Sequence, residues 1–187
     1  VISSMLKFNR YELAFNLYYD QAIQILQDDA IGNLAELRDA LPRKGSREPI
    51  VSGTISQAWS LAEFVRNFYQ DFVGYQPNAL DNTIYISPKL PGDLTFLSTD
   101  LPYRDTMISF DYYREEAGYL IEICLVDEKS SVDVIFQIPG FDPLKFKIDA
   151  DNPEYELFLS YDNQRSYHRF NNLDWYFAQP EFIENLK

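Results

Sequence analysis

Glu36 lies in Gly32-Asn33-Leu34-Ala35-Glu36-Leu37-Arg38-Asp39, with Arg43, Lys44 and Arg47 a few residues on. A carboxylate in such a loop can act as a general base if one ionised oxygen reaches a water within hydrogen-bond distance. The competing reading is a solvated or arginine-paired glutamate, and spacing alone favours it. A second stretch, Gly53-Thr54-Ile55-Ser56-Gln57-Ala58-Trp59-Ser60, places an amide and a tryptophan behind a glycine turn. The single cysteine, Cys124, excludes an intramolecular disulfide, and with His168 as the only histidine neither a zinc site nor a Ser/His/Asp triad is expected. Any chemistry is therefore expected to run on carboxylates, with no metal and no cofactor.

Sixteen Lys and Arg stand against 29 Asp and Glu, a net charge of -13. That balance argues against nucleic acid as a partner and leaves a neutral polymer acceptable. The charge is uneven: residues 1–91 hold 8 basic and 10 acidic side chains, and 92–187 hold 8 and 19. No apolar run approaches 20 residues, so no membrane span is expected. The first residues carry no charged leader, so a targeting peptide is expected to be absent or already removed. The compartment stays open, with the cytoplasm favoured, and the valine start suggests part of a longer chain.

The elements that must position these residues begin with apolar spacing typical of a helix, Leu6, Leu13, Leu17 and Ile25, which predicts one long helix from Ser3 to about Asp28. Its aromatics, Phe8, Tyr11, Phe15, Tyr18 and Tyr19, point all round the cylinder, which asks for more neighbours than two helices supply. A loop broken by Pro42, Gly45, Pro49 and Gly53 follows. A second helix is expected from an N-cap at Ser56 to a stop at Gly74, with Trp59 at its start and an apolar stripe through Leu61, Val65, Phe68 and Phe72. After Pro77 the period shortens. Seven runs rich in Ile, Val, Phe and Tyr, at 83–88, 94–98, 106–114, 119–126, 132–138, 144–149 and 155–161, predict an antiparallel β-sandwich. The segment 175–187 could add an edge strand. The expected fold class is α+β, with a helical segment over 1–78 and a β-sandwich over 79–187.

Three motifs in order, Gly32-Asn33-Leu34-Ala35-Glu36, Gly53-Thr54-Ile55-Ser56-Gln57-Ala58-Trp59-Ser60 and Pro88-Lys89-Leu90-Pro91, resemble the closing part of the (α/α)6-barrel glycoside hydrolases. The likeness is to the amylo-α-1,6-glucosidase domain of glycogen debranching enzymes and, more distantly, to the glucoamylases; it covers residues 30–91. It implies that residues 1–78 are the terminal helices of such a barrel. It also implies that Glu36 is the general base of an inverting hydrolysis, with an α-glucan or oligosaccharide as substrate. The general acid would then come from an N-terminal part of the same enzyme outside this chain, so the chain alone would be inactive. At Thr54 the family often carries Cys or Pro.

For the remaining candidates the competing readings stay open. Gln57 can bind sugar hydroxyls, hold the Glu36 loop, or make a helix-start hydrogen bond. Trp59 can line the pocket, but a large aromatic on a helical stripe is expected to pack. Tyr112, Tyr113, Tyr155, Tyr161, Tyr167, Trp175 and Tyr176 could form a sugar-stacking platform, although at strand spacing core or cross-strand packing is the expectation. His168 is expected at a surface or edge, and Glu115-Glu116 in a hairpin turn. The alternative function is a non-catalytic carbohydrate-binding or structural β-sandwich module.

Overall fold

The computed structural model describes residues 1–27, 31–39, 41–47, 49–126, 130–162, 164–170 and the backbone of 176–177. The protein is α+β, and it divides into two compact units, Val1–Asp71 and Phe72–Lys187. The expected end of the first helix at Asp28-Asp29, and Trp175 with most of the C-terminal segment, lie outside the described residues.

In the first unit the predicted long helix is two helices, α1 (Ile2–Lys7) and α2 (Tyr11–Gln27). Asn9 takes the left-handed conformation at φ 57°. Its N–H donates to Leu6 O at 3.1 Å, and the Arg10 N–H donates to Met5 O at 2.9 Å. This is the paired closure that ends helices, made here by asparagine instead of glycine. The Tyr11 hydroxyl donates to Asn9 Oδ1 at 2.9 Å, fixing the corner. The second predicted helix starts one residue later than expected, as α3 (Ala58–Arg66) with Gln57 at its N-cap, and a π-helical turn, Asn67–Phe72, continues it. Ser56 does not cap it; its hydroxyl donates to Asn33 Oδ1 at 2.8 Å. Between the helices, β1 (Leu37–Arg38) and β2 (Val51–Ser52) pair antiparallel.

Tyr18 of α2 stacks on Phe64 of α3 with ring centroids 4.2 Å apart. Burial, with Tyr69 nearby, pushes the Tyr18 phenol up to about 12. Arg66 ties α3 to α1: it pairs with Glu63 at 2.9 Å and Asp71 at 3.1 Å, and donates to Ser3 Oγ at 3.2 Å. Among the described hydrophobic residues of this unit only Ile2, Leu6, Ala14 and Leu34 are buried.

The second unit holds a strand at each of the seven predicted runs, though the second lies mostly beyond 94–98, together with the edge strand expected in 175–187 and two more. They are β3 (Gln76–Asn78), β4 (Thr83–Ile86), β5 (Phe96–Tyr103), β6 (Thr106–Arg114), β7 (Gly118–Leu125), β8 (Val132–Phe136), β9 (Leu144–Ile148), β10 (Glu154–Ser160), β11 (Ser166–Phe170) and β12 (Tyr176–Phe177). One sheet runs β12-β11-β10-β7-β6-β5, antiparallel throughout, and the other runs β3-β4-β8-β9. The second is mixed rather than antiparallel, because β4 and β8 pair parallel, Ile84 opposite Val134. A parallel pair needs a long crossover, supplied here by the whole β5–β7 run. Residues 72–78 go with the sheets, since β3 pairs with β4. Gly74, the expected helix stop, sits at φ +70° with Ser87 O 2.1 Å from where a Cβ would lie, so only glycine fits.

Alternation fills the core: along β6 Thr106, Ile108, Phe110 and Tyr112 are buried, and along β8 Val132, Val134 and Phe136. Phe146 of β9 stacks on Tyr155 of β10 at 3.6 Å between centroids, joining the two sheets. Glu115 and Glu116 lie in the β6–β7 turn, where the Glu115 N–H donates to Gly118 O at 2.8 Å.

Candidate functional site

Two stretches eighteen residues apart meet because β1 and β2 run antiparallel and their ladder extends beyond the strands. The Asp39 N–H donates to Ile50 O at 3.0 Å, the Glu36 N–H to Thr54 O at 2.8 Å, and the Gln57 N–H to Leu34 O at 2.9 Å. This places the Glu36 carboxylate over the Gly53–Gln57 backbone. Oε2 accepts from the Thr54 N–H at 3.2 Å, the Thr54 hydroxyl at 3.3 Å and the Gln57 side-chain amide at 3.4 Å. Gly53, at φ +77°, makes room: a Cβ there would lie 2.6 Å from Oε2. Glycine serves twice here, for the left-handed backbone and for the close approach.

Glu36 opens on a groove of about 430 Å³ between α2, the hairpin and α3. Gln21 and Gln24 face it from α2, Arg38 from β1, and Trp59, Ser60 and Glu63 from α3. Trp59 is 63% exposed, against the expectation that it packs, and no residue of α3 is buried. Of the three residues singled out from the sequence, Glu36 and Trp59 share the groove, and Gln57 holds Glu36. Gly53 and Thr54 stood in the motif without a contact to Glu36 being expected of them, and Gln21 and Gln24 were missed. For the two glutamines the available signal was their three-residue spacing, which puts both on one helical face.

Among the described residues no loop arginine pairs with Glu36. Arg43 grips Asp39 instead, through Nε at 2.5 Å and Nη2 at 3.0 Å, and this hydrogen bonding holds the Asp39 carboxyl below its usual range. Lys44 and Arg47 are exposed. Glu63 is likewise held low, first by its hydrogen bond from Arg66, so it stays ionised and is a poor proton donor.

The sheet unit divides the expected tyrosine platform. Tyr112 and Tyr155 are buried, Tyr113 and Tyr167 are half-buried, Tyr161 is 37% exposed, and the Trp175 and Tyr176 side chains lie outside the described residues. The Tyr155 hydroxyl meets His168 Nδ1 at 3.0 Å, so the histidine has a phenol partner, and burial lowers its affinity for a proton. Asp111, Glu122 and Glu156 stand in register across β6, β7 and β10, and Arg169 of β11 pairs with Glu156 at the end of the row. Desolvation first, then Glu156 and Asp111, push the Glu122 carboxyl up. Among the described residues no group of three or more His, Cys, Asp or Glu side chains could hold a metal ion. No helix among them is long and apolar enough to cross a membrane. No family model, curated protein or solved structure matches the chain.

Proposed function

We propose that the chain belongs to an inverting glycoside hydrolase acting on α-glucosidic linkages, of the debranching or glucoamylase type, with Glu36 as general base and Gln57 and Trp59 at the sugar. The observation that carries this reading is the convergence of Glu36 and Trp59 on one groove, with Glu36 held by the stretch that opens α3. In such a reaction the base takes a proton from water as the water oxygen attacks the anomeric carbon. A general acid about 6.5–9.5 Å away protonates the leaving oxygen. Glu63, held ionised by Arg66, does not suit that second role, which fits an acid supplied by a further part of the same enzyme.

The exposed apolar side chains of the helical unit support the same view. Phe8 is 78% exposed and Leu26 67%, as expected for helices of an (α/α)6 barrel that other helices would cover. We read the two sheets as a β-sandwich appended to that barrel. The second reading, a non-catalytic module, is favoured for the sheets alone, where the buried Tyr112 and Tyr155 fit a structural role better than a sugar platform.

The test is glucose release from a series of α-glucans by the longest natural product of the gene, with and without Glu36→Gln. General-base catalysis contributes about 10²–10⁴-fold, and a loss of that size is expected. Full activity in the variant would remove the assignment.

A further inference from the structure

The three donors that reach Glu36 all reach the same oxygen. The Thr54 N–H and hydroxyl and the Gln57 amide fall on Oε2, and among the described residues nothing donates to Oε1. At 3.2–3.4 Å each contact is at the long end of hydrogen bonding, so none fixes the carboxylate alone. What fixes it is their convergence, the backbone rung from the Glu36 N–H to Thr54 O at 2.8 Å, and the space that Gly53 leaves. A base works when one oxygen is anchored and the other is aimed at the water, and small misplacements are expensive. Among the described residues Thr54 alone reaches Oε2 through both its backbone and its side chain.

From this arrangement we infer that Thr54, brought against Glu36 by Gly53, is a positioning residue that anchors Oε2 and presents Oε1 to the reacting water; the inference rests on the general-base reading of Glu36. An ionised carboxylate only accepts, so the Thr54 hydroxyl must donate. Serine can make the same bond, and valine, of nearly the same shape, cannot.

The experiment uses the 187-residue chain labelled for NMR. The backbone amide proton of Thr54 and the side-chain amide protons of Gln57 are followed through an acid titration. Both should move together as Glu36 gains its proton, in the parent chain and in Thr54→Ser, and neither should move in Glu36→Gln. In Thr54→Val the Gln57 response should weaken, because Oε2 has lost an anchor. Gly53→Ala supplies a second handle: its methyl displaces the carboxylate, and both responses should collapse while the amide pattern of the sheets stays unchanged. A Thr54 amide that ignores Glu36 in the parent chain, or a Thr54→Val chain with an unaltered Gln57 response, overturns the positioning role. The readout needs neither sugar nor turnover. Its failure therefore leaves the catalytic assignment of Glu36 to the glucan test, and an inactive natural enzyme whose Thr54 and Gln57 still follow Glu36 removes the hydrolase reading alone.

Discussion

In the sheet unit Ile84, Ile108, Phe110, Ile121 and Leu157 are fully shielded from water, whereas in the helical unit Phe8, Leu13, Leu26, Ile31 and Trp59 each keep more than half of their surface exposed. The difference lies in where each element finds its partners. A strand buries alternate side chains against a second sheet, and β3 to β11 supply both sheets from one stretch of chain. A helix buries a stripe only against another helix or a sheet; Tyr18 of α2 stacks on Phe64 of α3, yet no residue of α3 is buried. The groove beside Glu36 sits in the less buried of the two units, as expected where a site is built on loops and helix ends.

Phe110→Ala breaks or upholds this contrast most sharply. Removing a fully buried ring should cost about 3–5 kcal/mol, while Leu26→Ala should stay within about 0.5 kcal/mol. Chemical denaturation of both variants checks this, and equal losses would erase the distinction. Next in size is Gly53→Ala, which forces a side chain into φ +77° against Glu36 Oε2. It should cost about 1–3 kcal/mol locally. Hydrogen exchange at the Glu36 amide should speed up while the β6 and β7 amides keep their protection.

Tyr155→Phe leaves His168 Nδ1 without its partner at a half-buried position and should cost about 1 kcal/mol, read as a lower melting temperature. The smallest effect has the opposite sign. Glu122→Gln relieves a row of carboxylates and should stabilise the sheet unit at neutral pH by less than about 1 kcal/mol. Because the folded Glu122 carboxyl is raised, the folded state binds more protons than the unfolded one between the ordinary and the raised value. Its contribution therefore declines as pH rises through that window. His168 tilts the other way: its proton affinity is lowered on folding, so stability declines as pH falls below the ordinary histidine value of 6.5. Melting curves from pH 4 to 8 on Glu122→Gln and on a His168→Gln chain should lose one slope each.

The strands were legible because Ile, Val, Phe and Tyr at period two report a half-buried ladder, and 106–114 is β6 as observed. Pairing was not legible. Nothing in Thr83–Ile86 or Val132–Phe136 says that they lie side by side and parallel, because that depends on the crossover between them. Three-residue β3 was hidden by Pro77, which cannot donate to a ladder. The break at Asn9 was missed for want of a glycine, although asparagine also enters the left-handed region at helix ends. Ser56 looked like a cap, but Asn33 takes its hydroxyl. At the site, Glu36 stood out by the resemblance of its motif, since type and spacing alone favour a solvated or arginine-paired glutamate, and only the hairpin shows that Thr54 and Gly53 hold it. Trp59 was expected to pack because its spacing is that of a stripe, and spacing cannot tell whether a wall stands opposite.

The most direct measurement of the central claim is the anomeric form of the first glucose that the longest natural gene product releases from an α-linked glucan, followed by proton NMR before mutarotation, with Glu36 intact and as Gln. Inversion with Glu36 as base predicts β-glucose from the parent enzyme and almost none from Glu36→Gln. First-formed α-glucose, or release undiminished in Glu36→Gln, would contradict it.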